Sequence, residues 1–385
     1  MLKYISKLRD AGVIFHLITF EQQQYALSAP ETISEKEKLA KLGIKWYPRQ
    51  FKTGRFLLLK KGLNFLSAFW LILRLKVRHR PKLILAFANV AASMAYICSV
   101  TLRIPLCIFS FEPHSDFLAE LGQWKKSGWK YRIMNALEWR AGKRAAYVLT
   151  GTRYMVERLK ELGAHGQILR QPTGIDEEQF QFSESSRKTI REKLQIGDRP
   201  VLIYTGKFGD LYIKEEMAVL CGTLLQCQSN FFFVFLTGHP EEELLGWMKK
   251  YGVDSEHVYI GRVPYEEVPA WLSAADVGVV GIAGFPSRKY CSPTKVGEYL
   301  LCGLPYIVQE NTSEDDVVAK QWNVGAVIRS FAANDVSEAW PTLNKLLAED
   351  KMVVRKRCRN AGIEYRSSAS VVQTLRSVLE SEILP

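Results

Sequence analysis

The chain contains 385 residues, of which 47% are apolar and 24% charged, and its formal net charge is +12. This length exceeds what one ordinary hydrophobic core uses, so we expect a globular protein of two domains. The longest apolar run near the N-terminus, residues 65–73, is too short to span a bilayer. Seven scattered cysteines without a C-x-x-C pair argue against structural zinc and favour a reducing compartment, so we expect a cytoplasmic protein.

The positive charge is concentrated near the start of the chain. Residues 38–111 contain fourteen lysines and arginines and no acidic residue, so the remainder of the chain is slightly acidic. The segment FKTGRFLLLKKGLNFLSAFWLILRLKVRHRPK (51–82) mixes these charges with aromatic and leucine residues at roughly helical spacing. This pattern favours peripheral contact with an anionic membrane surface, at the inner face of the membrane. A solvated charged face is the alternative, and nucleic acid is disfavoured because no recognised binding motif is present.

Apolar runs rich in β-branched residues alternate with helical segments along the whole chain. The predicted strands cover residues 13–20, 82–88, 105–111, 146–151, 166–172, 200–206, 231–238, 257–261, 275–282, 306–309 and 325–329. This alternation predicts an α/β architecture with parallel sheets. The polar stretch PTGIDEEQFQFSESSRK (172–188) marks the domain boundary. We expect domains over 1–180 and 181–365, and a C-terminal helix over 366–385 that packs back toward the first domain.

One short helix is predicted within YCSPTKVGEYLLCGLP (290–305), between two apolar strands. Ser292 is the candidate N-cap and Pro293 the first-turn proline, while Gly303 and Pro305 end the helix. In a parallel sheet, ligands bind beyond the carboxyl ends of the strands. The backbone N–H groups at the start of this helix therefore favour an anion.

Five segments, in order, resemble the family 4 retaining glycosyltransferases (group 1 glycosyl transferases) of GT-B fold. They are PTGID, YTGKFGDLYIKEEM, FLTGHPEEEL, YIGRVPYEEVPAWLSAADVGVV and SPTKVGEYLLCGLPYIV. The resemblance covers nearly the whole chain and implies two doubly wound, Rossmann-like domains whose parallel sheets face a central cleft. It also implies that the second domain binds a nucleoside diphosphate sugar as substrate, with no separate cofactor.

The resemblance assigns donor-binding roles to residues of three segments. Gly206 and Lys207 would approach the diphosphate, with Lys214 as a second candidate cation, and Lys207 would also act in catalysis. The turn of Ser292, Pro293, Thr294 and Lys295 would hold the diphosphate, Glu298 the ribose hydroxyls, and the backbone of Gly261, Arg262 and Val263 the base. Tyr290 stands where the family has an acid near the donor sugar.

The first domain supplies two catalytic candidates and one departure from the family. Glu112 and His114 follow a predicted strand and are expected at the cleft. The chain opens with LKYISKLRDAG, which looks like the helix after the family's first strand and glycine-rich loop. We therefore expect that strand and loop to be missing from the first domain.

The resemblance implies transfer of a sugar to a hydroxyl acceptor with retention at the anomeric carbon. The expected acceptor is a lipid-linked glycan of bacterial surface polysaccharide, such as capsule, exopolysaccharide or O-antigen. No D-x-D motif occurs, so no divalent metal is implied. The alternatives are a GT-B sugar-nucleotide epimerase, a catalytically silent nucleotide-binding subunit, and a dinucleotide-dependent oxidoreductase, which the absence of a full G-x-G-x-x-G motif after an early strand disfavours.

Overall fold

A computed structural model describes residues 2–8, 12–22, 26–51 and 57–383. The chain folds into two α/β domains whose sheets are entirely parallel, as predicted. The helices of the first domain are α1 (Leu2–Ser6), α2 (Ala29–Lys41), α3 (Leu57–His79), α4 (Ala88–Leu102), α5 (His114–Glu120), α6 (Trp129–Arg144) and α7 (Arg153–Glu161). Those that follow are α8 (Glu184–Lys193), α9 (Glu216–Cys227), α10 (Glu241–Lys250), α11 (Val268–Ala274), α12 (Thr294–Leu301), α13 (Asp315–Trp322), α14 (Ala333–Ala348), α15 (Lys351–Arg366) and α16 (Ser368–Ile383).

The first domain contains two separate sheets in the part of the chain that the structure describes. Strands β1 (Phe15–Glu21) and β2 (Ile44–Gln50) form a two-stranded sheet. Strands β3 (Ile84–Phe87), β4 (Leu106–Phe109), β5 (Tyr147–Thr150) and β6 (Gln167–Arg170) form a four-stranded sheet in that order. Within the described residues, β1 and β3 each have one edge without a strand partner. The expected absence of a first strand stays a prediction.

Helix α3 is the longest helix described, and its two faces differ. Ala68, Leu71 and Leu75 are buried, while Phe65 and Phe69 pack against a cluster that includes Cys98 and Leu102 of α4. The opposite side exposes Leu63, Leu66, Trp70 and Val77 together with Arg74 and Arg78. Among the described residues, no helix is long and apolar enough to cross a membrane.

The second domain has one continuous six-stranded sheet. Its strands are β7 (Val201–Thr205), β8 (Phe232–Leu236), β9 (Val258–Gly261), β10 (Val277–Val280), β11 (Tyr306–Gln309) and β12 (Gly325–Ile328), in the order β12-β11-β10-β7-β8-β9. Alternate residues of each strand enter separate cores on the two faces, as Ile203 and Leu202 do on β7. The strand order reverses between β7 and β10, which opens a crevice at the carboxyl ends of these strands.

The chain crosses between the domains twice at one place. Ile175, in the first crossing, receives a hydrogen bond from the Ser368 backbone at 2.8 Å and donates one to Arg366 at 2.7 Å. After the second crossing, α16 packs on the first domain, where Val371 and Leu375 share a core with strands β4 and β5. The two domains are therefore joined by paired backbone segments and by a helix that returns to the first domain.

Candidate active site

A pocket of about 390 Å³ lies at the carboxyl ends of the second-domain strands. Segments after β7, β8 and β9 and the start of α12 form its wall, as the reversal of strand order requires. Among the residues predicted to bind the donor, the pocket is lined by Gly206, Lys207, Arg262, Val263, Thr294, Lys295 and Glu298. Residues from four separate segments of the sequence thus meet at one pocket.

Gly206 leaves the space that a lysine side chain fills. Its φ is +124°, a conformation that side-chain-bearing residues rarely adopt, and an added Cβ would lie 3.0 Å from both Cε and Nζ of Lys295. Any larger residue at this position would therefore strain the turn after β7 and displace the lysine.

Lys295 is a buried cation in the pocket wall, with 7% of its surface exposed. Its ammonium group lies 3.8 Å from the ring centre of Tyr212 and 5.1 Å from that of Tyr204. Burial lowers the pKa of Lys295 to about 8, with Lys207 acting in the same direction and Glu298 opposing it. A buried ammonium held by two rings is ready to bind an anion, because tyrosine faces attract the cation without neutralising it.

Lys207 and Lys214 occupy different positions around this pocket. The ammonium of Lys207 lines the pocket and lies 2.7 Å from Asp210 Oδ2 in an ion pair that is largely exposed. Lys214 lies against Gly209, whose added Cβ would be 2.9 Å from Lys214 Cε, and it is outside the pocket lining. The structure therefore brings Lys207, but not Lys214, together with Lys295.

Glu298 lies one turn of α12 after Lys295 and is almost fully buried. The Tyr265 hydroxyl donates a hydrogen bond of 3.2 Å to its Oε1 atom. Burial raises the pKa of Glu298, while the Tyr265 hydrogen bond and the charge of Lys295 lower it. The sequence reasoning did not single out Tyr265, although it stands three residues after Arg262 in a segment that carried the resemblance.

The predicted N-cap of α12 is wrong by one residue. The helix begins at Thr294 with Pro293 at the N-cap and no side-chain cap. The Ser292 hydroxyl instead accepts hydrogen bonds from the Thr173 backbone at 2.9 Å and from Arg366 Nη1 at 2.6 Å. Ser292 and Pro293 are outside the pocket lining, as is Gly261, whose carbonyl accepts from the Thr237 backbone. Ser292 therefore connects the second domain to both crossings.

Tyr290 lies in the core of the first domain. It is buried with Met155 and Leu159, and the Arg158 guanidinium lies 5.0 Å from its ring centre. The neighbouring Ser287 backbone donates a hydrogen bond of 3.0 Å to Glu120 Oε1 of α5. The segment before α12 therefore docks on the first domain, and Tyr290 is outside the lining of the donor pocket.

Glu112 reaches the second domain from the loop after β4. Its carboxylate accepts a hydrogen bond from the Ser292 backbone. Burial raises the pKa of Glu112 to about 7, although this hydrogen bond and the charge of Arg288 both lower it. Burial also raises the pKa of Tyr212, and the charges of Cys291, Glu112 and Glu298 add to this rise. The Tyr212 ring thus contacts the Lys295 ammonium and is close enough to Glu112 for the charge of that carboxylate to raise the Tyr212 pKa.

The loop that carries Glu112 and His114 is held by a buried acid that the sequence reasoning missed. Glu138 of α6 is fully buried and accepts hydrogen bonds from the His114 backbone at 2.6 Å and the Ser115 backbone at 3.1 Å. The His114 ring is half-buried, which lowers its pKa. In the sequence, the one signal for a buried Glu138 is its place between apolar residues in the helical segment NALEW (135–139).

Comparisons of the chain with known protein families and solved structures agree with this architecture. Residues 1–173 match the family profile described as a glycosyl transferase 4-like domain, which covers less than half of the chain. The structure of Alr3699/HepE from Anabaena in complex with UDP superimposes with a TM-score of 0.70 at 14% identity, covering 99% of this chain and 94% of that one. The chain has the GT-B fold.

Two further structures have the same GT-B architecture. Sucrose-phosphate synthase from Thermosynechococcus elongatus has a TM-score of 0.69 at 13% identity, with 95% of this chain and 98% of that chain covered. WaaG, described as a glycosyltransferase involved in lipopolysaccharide biosynthesis, has a TM-score of 0.60 at 15% identity, with 95% and 99% covered. A comparison with curated protein sequences gives no match.

The predicted site residues of the two domains differ in their relation to the pocket. Lys295 and Glu298 of the second domain line it, whereas Glu112 and His114 of the first domain are outside its lining, and their place at the cleft stays a prediction. Within the described residues, no cluster of histidine, cysteine and acidic side chains could hold a metal ion.

Proposed function

We propose that the chain is a retaining glycosyltransferase that uses a nucleoside diphosphate sugar. The observation that carries this proposal is the pocket in which the cations Lys207 and Lys295 and the carboxylate of Glu298 meet. A diphosphate requires cations and free backbone N–H groups, which the start of α12 offers. A ribose requires an acceptor for two neighbouring hydroxyls, which a carboxylate provides.

Sugar transfer at this site breaks the bond between the anomeric carbon and the diphosphate oxygen. The acceptor oxygen forms its new bond on the same face of the sugar, and its proton passes to the departing phosphate oxygen. Negative charge therefore develops on the diphosphate, where Lys207, Lys295 and the helix N-terminus stabilise it without reorganisation. These groups supply the charge that a divalent metal would otherwise provide.

The first domain contributes to the reacting centre in this proposal. When the leaving group departs, the sugar carries positive charge, and the ionised carboxylate of Glu112 stabilises it from across the cleft. His114, at the start of α5, is the nearby candidate for contact with the acceptor. Glu138 holds the backbone beside both residues.

The proposed acceptor is a lipid-linked glycan of a bacterial surface polysaccharide, reached from the cytoplasmic face of the membrane. Support comes from the exposed stripe of Leu63, Leu66, Trp70 and Val77 on α3, beside Arg74 and Arg78. Exposed apolar side chains flanked by arginines suit the boundary between lipid headgroups and acyl chains. The described role of WaaG in lipopolysaccharide biosynthesis points to the same acceptor class.

Radiolabelled nucleoside diphosphate sugars, incubated with the protein and bacterial membranes, test this function. We expect label to move from one donor into the lipid fraction, with the anomeric configuration of the donor preserved in the product. Conversion of the donor to an epimer without transfer would instead identify a sugar-nucleotide epimerase. Nucleotide binding without turnover would identify a silent subunit, and absence of any nucleotide binding would overturn the donor site itself.

A further inference from the structure

Tyr265 joins two parts of the donor pocket that are distant in sequence. It begins the short 3₁₀ turn Tyr265–Glu267, in the loop after β9 that also carries Arg262 and Val263. Its hydroxyl crosses to α12 and donates the hydrogen bond of 3.2 Å to Glu298 Oε1. Its ring packs against Phe180 of the first crossing, with 5.4 Å between the ring centres.

The hydrogen bond matters because Glu298 has little other support for its charge. The Glu298 carboxylate is buried, and among the described residues the side chain that donates a hydrogen bond to it is that of Tyr265. Lys295 lies on the same helix but directs its ammonium to the ring of Tyr212, at 3.8 Å. A buried carboxylate without a donor favours its protonated form, which accepts hydrogen bonds from sugar hydroxyls poorly.

The hydrogen bond also fixes which oxygen is available. Oε1 of Glu298 is engaged by Tyr265, so Oε2 is the atom left for a new donor. A side chain held at one oxygen keeps its rotamer, which lowers the entropy lost when a ligand binds to the other.

We propose that Tyr265 is a positioning residue that holds the Glu298 carboxylate in the orientation and ionisation state that bind a ribose hydroxyl. This inference rests on the proposed function, because it assigns Glu298 to the ribose. It predicts that the Tyr265 hydroxyl strengthens the preference for ribose hydroxyls in nucleotide binding and lets binding persist to a lower pH.

The charged and titratable groups around Glu298 determine the sign of the pH effect. The charge of Lys295 lowers the pKa of Glu298 and so favours the ionised carboxylate. The ionised carboxylate in turn raises the pKa values of the neighbouring Tyr265, Tyr299 and Cys302. Loss of the Tyr265 hydroxyl removes a donor to the carboxylate and so raises the pKa of Glu298. Nucleotide binding should therefore fail at a higher pH in the variant as the solution is acidified.

Tyr265→Phe is the test variant, because it keeps the ring that packs on Phe180 and removes only the hydroxyl. Tyr251→Phe is the matched control, since Tyr251 ends α10 away from the pocket. Binding is measured by calorimetry from pH 5 to 8 with whichever of UDP, GDP and ADP binds the wild type most tightly, and with its 2′-deoxy form. We expect Kd to rise about tenfold in Tyr265→Phe and the acid limb to move up by about one pH unit.

The preference for ribose over deoxyribose should also fall in Tyr265→Phe and stay unchanged in Tyr251→Phe. If Tyr265→Phe has the same affinity, pH profile and ribose preference as the wild type, the positioning role is overturned and the proposed function stays intact. Failure of the wild type to bind any of the three nucleoside diphosphates would overturn the proposed function, and this inference with it.

Discussion

The two domains of this GT-B chain both combine helices with parallel strands, but they differ in how the described strands are arranged. The second domain has six hydrogen-bonded strands and a core on each face, and its pocket is lined by residues that its own strands and helices hold in place. The described part of the first domain divides its six strands between two sheets. The longest helix of the first domain exposes Trp70 with 65% of its surface accessible.

This difference indicates a division of labour. Under the proposed function, helix α12 of the second domain places Lys295 and Glu298 at the pocket, which suits recognition of a constant group such as a nucleoside diphosphate. Under the proposed function, the first domain carries Glu112 on a loop and exposes apolar and basic side chains of α3, which suits a large and variable acceptor. Variants in the two domains should therefore affect different measured quantities.

Removal of the buried cation should have the largest effect on donor binding. We expect Lys295→Met to raise the Kd of the nucleoside diphosphate about 100-fold, because a charge-assisted contact in a buried site is lost. Calorimetric titration measures this, with Lys320→Met on the exposed side of α13 as the matched control. Equal affinities of the two variants would contradict the assignment of Lys295 to the diphosphate.

Loss of the first-domain carboxylate should affect turnover and leave binding unchanged. We expect Glu112→Gln to lower kcat about 30-fold while the Kd of the nucleoside diphosphate stays at the wild-type value. Glu157→Gln on the exposed face of α7 is the control. A parallel loss of nucleotide affinity would show that Glu112 belongs to the donor pocket, and the division between the domains would fail.

The two domains should also give opposite pH dependences. Burial lowers the pKa of Lys295 to about 8, so the ammonium loses its charge above that pH and Kd should rise about tenfold by one unit beyond it. Glu112, with its pKa raised to about 7, becomes ionised as pH rises, so kcat should increase through that range. Measurements of Kd and kcat from pH 6 to 9.5 separate the rise of kcat near pH 7 from the rise of Kd above pH 8. Lys295→Arg should remove only the rise of Kd.

The smallest effect is expected on the outer surface of the first domain. Arg74→Gln should weaken partition to vesicles containing anionic lipid about fivefold, since each basic residue near such a surface contributes about 1 kcal/mol. Lys320→Gln in the second domain is the control in a sedimentation assay. If the wild-type protein binds neutral and anionic vesicles equally well, α3 has another role.

The predicted site residues that line the pocket all belong to the second domain, whose motifs are local in sequence. Gly206 with Lys207, and Lys295 with Glu298, are each separated by a few residues and follow predicted strands, so the fold class was enough to bring them together. The contact of Tyr265 with Glu298 was missed because it joins residues 33 positions apart in the sequence. The predicted N-cap at Ser292 failed for the same reason, since its hydroxyl is taken by distant groups of the crossings.

The first domain exposes a further limit of sequence patterns. Strand β2 was not predicted, because it contains Pro48 and basic residues that are unusual in a buried strand. It is an edge strand of a two-stranded sheet, where proline is tolerated. Tyr290 was considered only as a neighbour of the donor sugar, and its burial among first-domain side chains could not be read from the spacing of a second-domain motif.

The paired crossings at Ile175 and Ser367 have a mechanical consequence. A single flexible linker would let the domains separate and twist freely, whereas two backbone segments side by side resist both movements. A protease that cut only the first crossing would leave both halves in one particle, because the second crossing and α16 still join them.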